Sequence, residues 1–209
     1  MLTFHGKQEL KDQRIAQVRA HRLADQLVHG VYWEKGKGCA VGCTIHSGDH
    51  FAYETELGIP VELAYLEDRI FESLPNGGAM VWPERFLEAI PVGVDLRGTH
   101  INKRFVLALL TDEKRGLIPR LKEGAAKTEA LELADFLRHG IAEAQPTQPP
   151  QRIIDRADRA YRADLAYRAD RAYLAYRAYL ADLAYLAEIL LEVLAASAAP
   201  HLSPAEVTA

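Results

Sequence analysis

Apolar residues recur at helical spacing through most of the first 144 positions. Leu10, Ile15, Val18, Leu23 and Leu27 mark a helix over 7–29, with Gly30 where a glycine ends a helix. Leu63, Leu66, Ile70 and Leu74 share one face of a second helix, opened by Pro60 and closed by the turn former Asn76-Gly77-Gly78. Pro83 opens a short third helix that stops before Pro91, and two more are expected over 101–111 and 125–139. The run FVLALL at 105–110 also suits a buried strand, because a short apolar run carries no period. With no series of alternating strands, the expected fold is all-α: a compact helical head.

The pattern changes at residue 145. All 14 glycines lie at or before Gly140, and QPTQPP (145–150) reads as a stiff extended linker. Beyond it, alanine recurs at every third position from Ala157 to Ala187. The intervening residues are Asp or Tyr, then Arg or Leu, until Glu188 ends the pattern. Alanine, leucine and arginine favour helix, and Asp155–Arg159, Asp158–Arg162 and Asp164–Arg168 stand four apart as weak helical ion pairs. A period of three winds round a helix and defines no face, but the large residues do. Leu165, Tyr176, Tyr179, Leu183, Leu186, Leu190 and Val193, with Ala169 and Ala172, follow alternating steps of four and three, a coiled-coil-like seam. The domain reading is therefore a head over 1–144, a linker over 145–150, a long helix over 151–197 and a flexible end over 198–209. One unbroken helix here would be about 65 Å long. Its seam is expected to bind a second copy or a protein partner, or to pack on the chain's own head.

Composition narrows the function classes. The 209 residues carry 25 basic and 29 acidic side chains, a net charge of −4, which does not suit a nucleic-acid coat. No apolar run reaches the roughly 20 residues that span a bilayer, and MLTFHGKQEL lacks a secretory apolar stretch. Two cysteines make no disulfide framework. A cytoplasmic protein without nucleic-acid or membrane partners is expected.

The candidate chemistry sits in YWEKGKGCAVGCTIHSGDH (32–50). Lys35, Gly36, Lys37, Gly38 and Cys39 precede a short helix and form a candidate site for a small anion, where glycines let amides approach and lysines add charge. The glycine spacing is not that of a P-loop. Alternatively, Cys39 beside Lys37 in the first helical turn is an activated thiol with His46 or His50 as its base. A third reading takes Cys39, Cys43, His46 and His50 as zinc ligands, but on one helix they fall in a row within about 60° of arc and cannot surround an ion. No metal and no cofactor is expected. A fourth reading is packing: Gly38, Cys39, Ala40, Gly42 and Cys43 are small and admit a second backbone, for which the alanine-rich tail is the natural candidate.

GKGCAVGCTIHS (36–47), YETELGIP (53–60) and LEDRIFESLPN (66–76) resemble a group of predicted proteins from bacterial and bacteriophage genomes that also carry alanine- and tyrosine-rich tails. The likeness covers most of 4–118. It implies a mobile-element setting, where small proteins bind host factors or signalling nucleotides, and it assigns no residue a role. The leading expectation is a non-enzymatic helical binding protein. The alternatives are a thiol-dependent enzyme using Cys39 and a zinc-stabilised module.

Overall fold

A computed structural model of the chain describes residues 1–142 and 186–198. The linker at 145–150, the triplet repeat up to 185 and the end beyond 198 lie outside the described residues. The fold is all-α, with one two-stranded hairpin. The described residues form two compact units, one of 1–101 with 186–198 and one of 102–142.

The first unit contains α1 (Gln8–Leu23), a hairpin of β1 (Trp33–Glu34) and β2 (Lys37–Gly38), then α2 (Ala40–Ile45), α3 (Ala52–Leu57), α4 (Val61–Ser73) and α5 (Asn76–Ala89). α2 is short, and all six of its residues are buried. Helices α1, α3, α4 and α5 all pack against it. Its ends are satisfied by the rest of the chain. At its C-terminus, Gln17 Nε2 donates to the carbonyls of Cys43 at 2.8 Å and Thr44 at 2.7 Å, and Arg14 Nη1 donates to Thr44 at 3.2 Å. These α1 side chains meet carbonyls that a helix end leaves without partners.

Several expected boundaries are corrected. The first helix ends at Leu23 rather than near residue 29: Asp25 turns the chain into the left-handed region at φ 52°, and Leu27 is buried as a loop residue. Asn76-Gly77-Gly78 is the first turn of α5 rather than a stop, because Pro75 caps that helix in extended backbone. Pro83 lies inside α5 instead of opening a helix of its own. Pro60 stands one residue before α4 as its cap, and α3 was not anticipated. The hairpin was not anticipated either. Lys35 and Gly36, both at positive φ (51° and 79°), form the tight two-residue turn that matches strand twist.

The small face of α2 does receive a backbone, though not the tail's. A Cβ on Gly42 would stand 1.7 Å from the Tyr32 carbonyl oxygen, and one on Gly38 would stand 2.3 Å from it. The strand entering the hairpin fills that space. α5 is held to α1 by Arg19 and Arg22, whose Nε atoms donate to the two oxygens of Glu84 at 2.8 and 2.5 Å. Lys11 Nζ closes the end of α5 through the carbonyls of Glu88 and Ile90, both at 2.8 Å. The N-terminus is tied to the segment after α5: Thr3 N–H donates to Val94 at 2.9 Å, and Gly93 N–H donates to Thr3 at 3.0 Å.

The described part of the tail is helical over 186–196 and belongs to this first unit. Ala187, Ile189, Leu190 and Leu194 are buried, and Glu188 accepts a two-pronged bond from Arg85, both arms 2.8 Å.

The second unit contains α6 (Ile101–Thr111), which begins at its border, α7 (Leu117–Arg120) and α8 (Ala125–Ala142). FVLALL is therefore helix. α8 runs past Gly140, whose carbonyl accepts from Lys103 Nζ at 2.7 Å. Leu110, Ala130, Ala134 and Leu137 form its core, with Ile118 and Phe136 packed against them.

Gly42→Ala should destabilise the protein by more than about 2 kcal/mol, since the added methyl meets backbone that cannot swing aside. Gly77→Ala, in open space on α5, should be neutral or stabilise by up to about 1 kcal/mol. Urea unfolding of both variants is the check.

Candidate functional site

Cys39 caps the N-terminus of α2 and is buried. Its amide donates to Val31 at 2.7 Å, and the amide of Gly38 donates to Gln26 at 3.0 Å. Both of these amides are thus taken up inside the chain. Lys35 projects from the hairpin tip with its side chain 88% exposed and pairs with Glu34 at 3.1 Å. Lys37 pairs in register with Glu34 across the hairpin, and Gly36 sits in the turn. The segment Lys35–Cys39 builds a hairpin and an anchor rather than a cradle.

The four residues read as a zinc set go separate ways. Cys43 Sγ donates to the Gly38 carbonyl at 3.4 Å, and Cys39 Sγ lies 3.7 Å from that of Tyr32. His46 stands at the other end of α2 from Cys39, in left-handed backbone at φ 53°, so it is not placed as that thiol's base. Its ring stacks on Trp33 at 4.7 Å, and its Nε2 lies 2.8 Å from Nε2 of His21. Gln26 Oε1 holds the other nitrogen of His21 at 2.6 Å. The two histidine ring centres are 5.0 Å apart, so with nitrogens 2.8 Å apart the rings point nearly straight at each other. That is the geometry of one shared proton. An ion about 2.0–2.1 Å from both nitrogens would need the ring axes to converge near a right angle. Loss of hydration, then His21 and Arg14 nearby, hold the His46 ring below the usual histidine range. Among the described residues no group of three or more His, Cys, Asp or Glu is arranged to hold a metal.

A different cluster forms on the other side of Cys39. Its thiol lies near enough to the Asp68 carboxyl to feel that group's charge. His50 Nε2 is 3.4 Å from Asp68 Oδ2, off the line of a hydrogen bond. Next to Asp68 on α4, Glu67 is fully buried, and Tyr53 Oη donates to its Oε2 at 2.5 Å. Trp82 Nε1 donates to the Glu67 carbonyl at 3.1 Å, fixing that turn of α4 against α5. Tyr65 stacks on His50 at 4.6 Å with rings 8° from parallel, and Tyr32 meets the same ring edge-on at 5.4 Å. Both tyrosines are more than half exposed, while His50 is 6% exposed. Three buried polar atoms here have no hydrogen-bond partner: His50 Nε2, Glu67 Oε1 and Asp68 Oδ1.

The electrostatics follow from burial. Loss of hydration raises the Glu67 carboxyl well above the usual range; the Tyr53 hydroxyl opposes this and Asp68 adds to it. Burial therefore favours the neutral, protonated form of Glu67. Burial, reinforced by Glu67, likewise raises Tyr53. Burial and then Asp68 raise the Cys39 thiol far above its ordinary value, and burial pushes Cys43 up to about 12. Neither sulfur is a ready nucleophile.

Sequence reading found Cys39 and named His50, but it gave Glu67, Asp68 and Tyr32 no role. A period placing Leu63, Leu66, Ile70 and Leu74 inward gives adjacent Glu67 and Asp68 no distinct role. Of the proposed seam, Leu165, Tyr176, Tyr179 and Leu183 lie outside the described residues. Leu190 is fully buried, and Leu186 and Val193 are half-buried. Comparison with protein-family models, curated proteins and solved structures finds no match for this chain.

Two outcomes follow from the buried acids and thiols. Glu67 binds its proton more tightly when folded, so its stabilising effect is complete below the unfolded value near pH 4.3 and is lost as pH rises towards the folded value. Glu67→Gln removes that loss. Its stability relative to the parent, from urea melts between pH 5 and 8, should climb with pH at up to about 1.4 kcal/mol per unit. Parallel curves would contradict a buried neutral acid. Both thiols should react with a disulfide reagent at pH 8 at least tenfold more slowly in native protein than in urea-unfolded chain.

Proposed function

We propose that this is a ligand-binding protein without catalytic chemistry, taking a small molecule where Tyr32, His50 and Tyr65 cover Asp68 and Glu67. The observation that carries the reading is that three buried polar atoms, on His50 and on the adjacent Glu67 and Asp68, have no hydrogen-bond partner. Such atoms cost free energy on folding, and proteins satisfy nearly all of them. Around them the same unit uses Gln17, Arg14 and Lys11 to fill backbone carbonyls one by one. A group of polar atoms under half-exposed aromatic rings is the usual composition of a small-molecule site, with polar groups for orientation and apolar faces for burial.

The reading keeps the binding role expected from the sequence and moves its place. The Gly/Lys segment contributes indirectly: the hairpin it forms holds Tyr32 over His50. A thiol enzyme is the second reading, favoured by Asp68 standing between Cys39 and His50. The raised thiol and its burial count against it.

A thermal-shift panel of amino acids, amines, nucleotides and inorganic phosphate tests the proposal, because a ligand that binds only the native state must raise its melting temperature. At least one class should raise it by about 2 °C or more. The shift should disappear in Tyr65→Ala, which removes an exposed ring. A shift unchanged in that variant would place binding elsewhere.

A further inference from the structure

Resting on the binding reading above, we infer that the ligand of this site is an organic cation, an ammonium or guanidinium head on a small apolar body. Three features of the site point to it. The first is charge. Among the described residues the largely buried Asp68 is paired with no lysine or arginine; its ionic neighbour is His50, 3.4 Å away. Several other carboxylates of the unit are matched: Glu84 with two arginines, Glu54 and Glu62 with Arg97, Glu56 with Arg14. Asp68 is largely buried, where a missing cation matters most.

The second feature is the set of free acceptors. Asp68 Oδ1 is buried without a donor, while Asp68 Oδ2 already faces His50. A cationic N–H is the group that completes a carboxylate oxygen most strongly. A phosphate or carboxylate would face Asp68 with like charge and bring acceptors to acceptors. His50 supplies the independent sign of a ligand. It is almost fully buried, its Nε2 is turned towards Asp68, and it makes no hydrogen bond.

The third feature is the cover. Tyr32 and Tyr65 stand edge and face to His50, with much of each tyrosine in solvent. Electron-rich aromatic faces beside a carboxylate attract a desolvated cation, whereas they give an anion nothing. Neighbouring Phe51, 60% exposed, adds apolar surface for the body of the ligand.

Three probes separate the possibilities on the full-length protein: methylguanidinium, inorganic phosphate and phenol, each followed through the ring resonances of His50 and Tyr65. Methylguanidinium should shift both saturably. Asp68→Asn should weaken it at least tenfold, and raising sodium chloride from about 50 to 500 mM should weaken it in the parent, which tests charge even if the variant folds poorly. Methylguanidinium affinity that is unchanged by salt and by Asp68→Asn overturns the inference. Phosphate or phenol shifting the same resonances where methylguanidinium does not overturns the cation class and leaves the binding reading standing. Silence from all three probes overturns both.

Discussion

The Tyr32 carbonyl lies hard against both Gly38 and Gly42. Any side chain at either glycine would occupy the oxygen's place. The constraint sets the rest in order. Because that strand lies flat on α2, the amide of Cys39 can reach Val31 and α2 can be buried all round despite having only six residues. A helix so short has no stability of its own. It persists because α1 caps its last carbonyls and four helices close over it.

Two polar clusters flank that buried helix, one at each end. At the C-terminal end, His21 and His46 share a hydrogen bond beside Trp33, close to the surface. At the N-terminal end, Cys39, Asp68, Glu67 and Tyr53 lie in the interior beneath His50. The first cluster is satisfied: each nitrogen in the bond has its partner, and Gln26 fixes one tautomer. The second is not. That difference makes the second the functional candidate, although the first contains the histidine nearer to Cys39 in sequence.

Helical spacing made the class of fold legible, and positions such as Leu63, Ile70, Phe86 and Leu110 are buried as their periods require. What was hidden follows from local chemistry overridden by packing. Asn-Gly-Gly is a turn signal, yet Pro75 ahead of it presets a helix start and the glycines become its first turn. Pro83 is a helix opener by habit and here an interior residue. Lys35-Gly36 carries the signature of a hairpin turn, but the flanking strands are two residues each, too short to show alternation. The small residues of α2 correctly signalled close backbone approach, while the partner came from six residues upstream of Gly38 rather than from the distant repeat. Glu67 and Asp68 show the limit most sharply. Adjacent acids on a helix look solvated until a second element, here the Tyr53 helix, buries one of them.

The bonds between Thr3 and residues 91–94 have a bearing on how the chain is made. Thr3 lies some ninety positions before these partners, so its bonds to them form only once that later segment has been made. Phe4 beside it is among the most deeply buried side chains. The stretch at 186–198, assigned to the same unit, arrives later still. Closure of this unit thus waits for residues 186–198, and a chain interrupted before them would display apolar surface rather than a smaller finished body.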